Sequence, residues 1–175
     1  MATCLSESSA PPAEHVLTLR NTLRASDIDA VAALVARTGV FNGHEIEVAR
    51  SLVEETLQRG ERASGYRFLM LDGDSGLDAY VCFGPIPGTY TRFDLYWIAV
   101  DPAASRRGLG RALLQACERA IVAEGGTHLF IETSTTADYV PAHRLYEACG
   151  YTRHATVPDY HADGDGMAIY GKKLA

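Results

Sequence analysis

Residues 93–112, FDLYWIAVDPAASRRGLGRA, decide the fold of this chain. The first part, FDLYWIAV, is almost entirely apolar or aromatic, which predicts a strand that is buried on both faces near the middle of a sheet. A turn rich in Arg and Gly follows. The apolar residues from Leu109 to Ile121 then recur at the spacing of one helix face. The stretch therefore predicts a strand, a turn and a helix in direct succession.

The predicted turn has the chemistry of a phosphate-binding site, because a helix N-terminus presents free backbone N–H groups and the positive end of the helix dipole. Gly108 and Gly110 would let a pyrophosphate approach the backbone closely, and Arg106, Arg107 and Arg111 could add charge-assisted hydrogen bonds. The turn matches neither the GxxxxGK[ST] of P-loop NTPases nor the three glycines of a GxGxxG dinucleotide turn. These residues leave open which phosphorylated ligand is bound.

The rest of the chain predicts a mixed α/β fold, in which strands and helices alternate around one sheet. Before the central strand we expect a strand, two helices and a hairpin of two strands, at residues 16–23, 28–38, 43–58, 66–71 and 77–83. After the turn and its helix we expect a strand, a short helix and two strands around an Asp- and Gly-rich loop, at residues 128–133, 141–149, 151–157 and 167–174.

Composition limits the classes of protein to which the chain can belong. Its 175 residues, 47% of them hydrophobic, suit a flexible tail over residues 1–14 and a single domain over residues 15–175. The net charge of −6 argues against a nucleic-acid partner, and the apolar runs are too short to cross a membrane. The four cysteines, which lack zinc-ligand spacing, and the absence of a signal-like start predict reduced thiols in a cytoplasmic protein without a metal.

Two stretches resemble the GNAT superfamily of N-acetyltransferases. In that family an apolar strand ends in V-x-P and a [QR]-x-x-G-x-[GA] turn opens a helix, as Val100 to Gly110 do here. A later family signature is matched by AHRLYEACGY at residues 142–151. Ser105 stands where the family has Gln or Arg, and Tyr139 stands where it usually has Asn. The resemblance implies a mostly antiparallel sheet of six to seven strands, flanked by about four helices and splayed between the central strand and the next.

The resemblance also implies acetyl-coenzyme A as the cofactor. In the family the pyrophosphate binds the turn, and the pantetheine arm inserts into the splayed sheet like an extra strand, where a backbone N–H can stabilise the thioester oxygen. The residues carried over for this binding are Ile98, Ala99, Val100, Ser105, Arg106, Arg107, Gly108, Leu109, Gly110, Arg111, Ala112, Tyr139, His143 and Tyr146.

Acetyl transfer to an amine needs a base, because an alkylamine with a pKa near ~10.4 is almost fully protonated at neutral pH. The resemblance places that base at Asp94, and Glu132 on the next strand is a second candidate. Asp94 could instead be a strand-entry residue that hydrogen-bonds to the loop or pairs with Arg92, and Glu132 could pair across the sheet. Tyr146 matches the family's tyrosine that protonates the departing thiolate, although its spacing also fits a core aromatic residue.

The acceptor is expected to be a small cationic amine, such as an amino acid, a polyamine or an amino sugar. The segments that form the acceptor pocket in the family carry aromatic and acidic residues here, namely Phe41, Glu45, Tyr96, Trp97 and Asp159. Three other functions stay open: acetylation of protein N-termini or lysines, a noncatalytic acyl-CoA sensor, and binding of another nucleotide. Dimers are common in the family, so a homodimer is also an open alternative.

Overall fold

The computed structural model describes residues 19–74 and 76–174, which form a seven-stranded sheet with helices on both faces. The predicted tail and Val16 lie outside the described residues. In chain order the elements are β1 (Leu19–Arg20), α1 (Asp27–Thr38), α2 (Gly43–Arg59), α3 (Glu61–Ser64), β2 (Arg67–Gly73), β3 (Gly76–Pro85), β4 (Arg92–Val100), α4 (Leu109–Ala123), β5 (His128–Ser134), α5 (Val140–Ala148), β6 (Thr152–Ala162) and β7 (Asp165–Lys173). Short 3₁₀ turns precede α4 and α5, at Pro102–Ala104 and Ala137–Tyr139.

The strands lie in the order β1-β2-β3-β4-β5-β7-β6, and every neighbouring pair is antiparallel except β4 and β5. This confirms the predicted mixed, mostly antiparallel sheet, with five helices where about four were expected. Among the described residues, no helix is long and apolar enough to cross a membrane.

Helices cover the two faces of the sheet at different places. On one face α4 and α5 pack through residues such as Leu113, Cys117 and Tyr146. On the other face α1 and α2 cover β2, β3 and the end of β4 through residues such as Val31 and Val53. Sheet faces and helix stripes that bury apolar surface in this way supply most of the driving force for folding.

The central strand β4 leaves its parallel neighbour halfway along its length. Residues Arg92–Leu95 of β4 pair with His128–Ile131 of β5, and beyond Leu95 the strand pairs with β3 alone. The β3 register jumps at this point, so that Tyr96 is an extra residue in a β-bulge. A gap therefore opens between the second half of β4 and β5, as the resemblance implied.

The prediction that β4 is buried on both faces is wrong. Tyr96 is 36% exposed, and the side chains of Asp94 and Trp97 are only partly buried. For Tyr96 and Trp97 the physical reason is the gap. Beyond Leu95 no neighbouring strand covers one side of β4, although its residues are as apolar as those of a fully buried strand.

Two strand boundaries also differ from the prediction. The first strand stops at Arg20 because its guanidinium donates to Asp27 at 2.6 and 2.8 Å, and Asp27 also accepts from the Arg24 N–H at 2.7 Å, which turns the chain. At the other end β6 continues to Ala162, so the predicted Asp- and Gly-rich loop is mostly strand that closes in a short turn at Gly164.

Gly126 offers a test of the core packing. A Cβ at this residue would lie 2.3 Å from Ile121 Cγ2 and 2.7 Å from the Phe93 ring, so Gly126→Ala overpacks the join between α4, β4 and β5. We expect this substitution to lower the free energy of unfolding by about 1–3 kcal/mol. Gly43→Ala is the control, because a Cβ there meets no atom within 4 Å. Equal chemical denaturation midpoints for the two variants would contradict the packing described.

Candidate functional site

The turn before α4 is a candidate anion site built from backbone groups, and we call it the anion site. Gly108 has a left-handed conformation with φ 75° where α4 begins, and Arg106 is also left-handed with φ 64°. Within the described residues no side chain caps the first turn of α4. Its N–H groups are thus available to a ligand, and the helix dipole favours a negative one.

The three arginines of this turn are exposed, but they are not equivalent. Arg107 lies 3.6 Å from the Asp78 carboxylate, whereas Arg106 and Arg111 form no ion pair with any described residue. Ser105 donates its hydroxyl proton to the Pro102 carbonyl at 2.7 Å, so it belongs to the turn and adds no charge. Arg106 and Arg111 are therefore the cations available to a phosphate.

Gly110 has a structural role that the sequence did not show. A Cβ at this residue would lie 2.9 Å from Leu145 Cδ2, so the missing side chain lets α4 and α5 approach closely. The sequence had suggested only that Gly110 makes room for pyrophosphate. Gly110 thus couples the anion site to the helix that carries Tyr146.

The gap exposes one edge of β4 at Ile98, Ala99 and Val100. These residues pair with Val81, Tyr80 and Ala79 of β3, and they have no partner on β5. In an antiparallel pair alternate residues direct their N–H and C=O groups away from the partner, which here means into the gap. Since buried backbone groups need hydrogen-bond partners, an extended ligand with amide groups fits this edge.

Tyr146 lies on the face of the sheet that α4 and α5 cover. Only 4% of its surface is exposed, and its ring centre is 5.5 Å from that of Tyr170 and 6.2 Å from that of Tyr151. Burial raises the pKa of the Tyr146 phenol well above its usual value, so the hydroxyl keeps its proton at neutral pH. Tyr146 is both a core residue and a candidate proton donor.

Asp94 and Glu132 lie on adjacent strands, and Asp94 points away from the face that holds Tyr146. Its neighbours Phe93 and Leu95 belong to that face, and side chains alternate along a strand. Asp94 is in register with Phe130, and Glu132 follows two residues further along β5 on the same side. Burial, and then the nearby charge of Glu132, raise the pKa of Asp94 to about 6.

The structure does not show the two alternative pairings considered for these carboxylates. Arg92 donates to the Thr127 hydroxyl at 2.8 Å, and neither Asp94 nor Glu132 forms an ion pair with any described residue. Both carboxylates are therefore available to a ligand.

An aromatic cluster lies beside the gap, where three distant segments meet. The Phe41 ring is 4.8 Å from that of Trp97 and 6.2 Å from that of Tyr139, with the second pair in an edge-to-face arrangement. Burial raises the pKa of Tyr139 to about 12. The sequence placed Tyr139 with the cofactor, and the structure shows it beside the acceptor candidate Phe41 while its charge also acts on Tyr146.

Tyr66 is a further candidate site residue, which the sequence reasoning missed. It precedes β2, and its ring lies 5.3 Å from the Tyr96 ring in an edge-to-face arrangement. Gly84 allows the approach, because a Cβ there would lie 2.1 Å from the Gly65 carbonyl oxygen and 3.3 Å from Tyr96. An aromatic residue at the start of a strand is common, so only the three-dimensional contact identifies Tyr66.

The remaining candidates already have structural partners. Glu45 accepts from the Asn42 N–H at 2.8 Å in the capping box of α2. Asp159 accepts from the Gly164 N–H at 2.8 Å in the last hairpin. His143 Nε2 donates to the Ser134 carbonyl oxygen at 2.9 Å. The structure therefore gives each of these three side chains a structural partner, and the charge of Glu45 also acts on Tyr139 in the aromatic cluster.

Comparisons with known proteins agree with this architecture. A GNAT-family protein from Desulfovibrio desulfuricans is 38% identical, with a TM-score of 0.88 over 91% of this chain and 100% of that one. An aminoglycoside 6'-N-acetyltransferase, solved as a complex with coenzyme A, shares the fold with a TM-score of 0.71 at 14% identity, over 91% of this chain and 98% of that one.

A shorter match is found with S-(2-succino)cysteine N-acetyltransferase from Bacillus subtilis (strain 168). The two sequences are 32% identical over 71 residues, which is 41% of this chain and 43% of that enzyme. The chain therefore matches less than half the length of this relative. Residues 40–151, which include α2, the gap, the anion site and Tyr146, match the acetyltransferase (GNAT) family. This chain is a member of the acetyltransferase (GNAT) family.

Proposed function

We propose that this protein is an N-acetyltransferase that moves the acetyl group of acetyl-CoA to the primary amine of a small molecule within a ternary complex. The observation that carries the proposal is the gap between β4 and β5. It lies between a neutral, buried phenol on one face of the sheet and two carboxylates on the other. A donor and an acceptor entering from opposite faces would meet there.

The residues around the gap fit a coenzyme A thioester. The N–H groups at the start of α4, with Arg106 and Arg111, would hold the pyrophosphate, and the free edge at Ile98–Val100 would pair with the amides of the pantetheine arm. Acetyl-CoA supplies the activated acetyl group. Family membership and the coenzyme A complex of the related fold support this choice of cofactor.

Asp94 is the proposed general base. The acceptor ammonium must lose a proton before its nitrogen can attack, and a carboxylate with a pKa near 6 is mostly ionised at pH 7 yet more basic than an ordinary aspartate. Burial, and then the nearby charge of Glu132, raise the pKa of Asp94, which makes it a better proton acceptor. An N–H of Ile98–Val100 would donate to the thioester oxygen as that oxygen gains negative charge.

Tyr146 is the proposed general acid that protonates the departing thiolate. A buried phenol gives up its proton reluctantly, but the same low-polarity surroundings also destabilise the thiolate and raise its affinity for a proton. The pKa of the Tyr146 hydroxyl and the pKa of the coenzyme A thiol are therefore closer together in this site than they are in water.

The surroundings of Asp94 favour a cationic acceptor. The faces of aromatic rings attract ammonium groups, and the rings of Phe41, Trp97 and Tyr139 lie on one side of the gap with Tyr66 and Tyr96 nearby. Burial, and then the nearby charge of Glu45, raise the pKa of Tyr139, so Glu45 adds negative charge to this region. The Bacillus subtilis relative, which is named for the acetylation of a modified amino acid, supports a small-molecule acceptor.

The proposal is tested by incubating the purified protein with acetyl-CoA and a panel of amino acids, polyamines, amino sugars and short peptides. We expect release of free coenzyme A thiol together with an acetylated small amine detected by mass spectrometry. Acetylation of peptides alone would support the protein acetyltransferase instead. Binding of acetyl-CoA without thiol release for any amine would support the sensor.

The anion site is tested with the double substitution Arg106→Ala and Arg111→Ala. Loss of two unpaired cations should weaken acetyl-CoA binding about tenfold and make the affinity less sensitive to salt. Isothermal titration calorimetry measures both effects. Arg119→Ala is the control, since it removes an exposed arginine further along α4. Equal affinities for the double variant and the control would contradict this site.

The environment of Asp94 is tested by ¹³C NMR titration of its carboxyl group. We expect a midpoint of about 6 in the native protein and a lower midpoint in Glu132→Gln, still above 3.8 because burial remains. Because folding raises this pKa, the stability that Asp94 contributes is present below about pH 4 and is lost as the pH rises through about 6.

Glu54→Gln is the control for this titration, since Glu54 is an exposed carboxylate on α2 and should leave the midpoint unchanged. A native midpoint near 4, or no shift in Glu132→Gln, would show that the two carboxylates do not interact as described.

Tyr146→Phe tests the proton donor while it keeps the packed ring. We expect kcat to fall roughly 100-fold and KM for acetyl-CoA to change less than about twofold, because only the transferable proton is lost. Steady-state kinetics with the best acceptor measures both constants. Tyr170→Phe, which removes the hydroxyl of the adjacent buried ring, should keep kcat within about threefold. Unchanged turnover in Tyr146→Phe would exclude the acid role.

A further inference from the structure

A polar network joins α4, β7 and the end of α5 on the face of the sheet that holds Tyr146. Lys172 Nζ donates to both carboxylate oxygens of Glu118 at 2.8 Å and to the Cys149 carbonyl oxygen at 2.9 Å. The Tyr151 hydroxyl donates to Glu118 at 2.9 Å. We call Glu118, Tyr151 and Lys172 the latch.

The latch holds the segment that follows the helix of Tyr146. After α5 the chain turns at Gly150 with φ 87°, and the Tyr151 N–H donates to the Tyr146 carbonyl oxygen at 3.0 Å. The Tyr151 ring also lies 6.2 Å from the Tyr146 ring, and the Lys172 ammonium is 5.4 Å from the centre of the Tyr151 ring. Tyr151 thus contacts Tyr146 through both backbone and ring.

Helix α4 connects the latch to the anion site. At its start α4 forms the anion site, and Gly110 packs against Leu145, the residue before Tyr146. Further along α4, Glu118 belongs to the latch. A movement of α5 relative to α4 would therefore change the distance between the Tyr146 hydroxyl and a ligand held at the turn. A displacement of about 1 Å can reduce a rate roughly 100-fold.

We propose that the latch positions Tyr146 for proton donation, an inference that rests on the proposed function. In the step concerned the amine nitrogen forms a bond to the acetyl carbon, the carbon–sulfur bond breaks, and the electron pair stays on sulfur. The ammonium first loses one proton to Asp94, which passes it to solvent before the attack. As the amide forms, the second proton of the nitrogen goes to Asp94 and the proton of the Tyr146 hydroxyl goes to the sulfur. Exchange with solvent then removes the proton from Asp94 and returns one to Tyr146, so one proton is released per turnover. Glu118, Tyr151 and Lys172 exchange no proton and act as positioning residues.

A double-mutant cycle between Lys172→Met and Tyr146→Phe tests this role. Lys172→Met keeps an unbranched side chain and removes the three hydrogen bonds of the ammonium. We expect kcat to fall about tenfold while KM for acetyl-CoA stays within about twofold. In the Tyr146→Phe background the same substitution should change kcat less than about twofold, because the hydroxyl that the latch positions is absent.

Glu124→Gln, at the C-cap of α4, is the matched control. It weakens the 3.0 Å ion pair between Glu124 and Arg67 and touches neither α5 nor the latch, so kcat should stay within about twofold. Tyr151→Phe provides a second, milder variant that removes one hydroxyl and keeps the ring. It should lower kcat less than Lys172→Met does, and its effect should again be smaller in the Tyr146→Phe background. If Lys172→Met does not fold, Tyr151→Phe takes its place in the cycle.

The outcomes separate the two proposals. An equal loss of kcat in the native and Tyr146→Phe backgrounds overturns the positioning role, and so does an unchanged kcat in both latch variants. If Tyr146→Phe itself turns over at the native rate, the proposed acid role fails and the latch proposal fails with it. A protein that transfers no acetyl group to any amine removes the proposed function altogether.

Discussion

The site depends on one constraint, which is that β4 can pair with β5 through Leu95 and no further. The bulge at Tyr96 changes the course of the strand, and the backbone of Ile98–Val100 is left with an unpaired edge inside the protein. An unpaired buried N–H or C=O group costs about 1–3 kcal/mol, so such an edge is stable only where water or a ligand completes it. A ligand that resembles an extended peptide meets this need, and the pantetheine arm of coenzyme A is of that kind.

The distribution of helices gives the two faces of this gap different chemistry. On the face of α4 and α5 the groups are the anion site, with its free arginines, and the neutral phenol of Tyr146. On the opposite face the groups are the carboxylates of Asp94 and Glu132 and a set of aromatic rings. A phosphorylated donor is therefore attracted to one face and a cationic amine to the other. Tyr146, the proposed proton donor to the thiolate, lies on the donor's face, and Asp94, the proposed proton acceptor, lies on the face of the amine.

Local patterns predicted the elements of this fold well, because FDLYWIAV, the glycine turn and the helix stripes are properties of neighbouring residues. The features that the sequence did not predict depend on contacts between distant segments. Gly110 meets Leu145, Tyr139 meets Phe41, and Tyr66 meets Tyr96, and no periodicity connects these positions. Beyond Val157 the register of β6 shifts, and pairing with β7 resumes only at Ala162, opposite Asp165, which no local pattern predicts. Local motifs thus named the candidate residues, while the contacts that Tyr139 and Tyr66 make with other candidates needed the structure.

Hydrogen exchange of the β4 amides with and without acetyl-CoA tests the central claim most directly, since that claim is that the cofactor completes the free edge of β4. We expect binding to slow exchange at those amides of Ile98–Val100 that face the gap, together with the amides at the start of α4. Amides of β6, at the far edge of the sheet, should exchange at the same rate in both states. Protection at the α4 turn alone, with unchanged exchange along β4, would contradict the account.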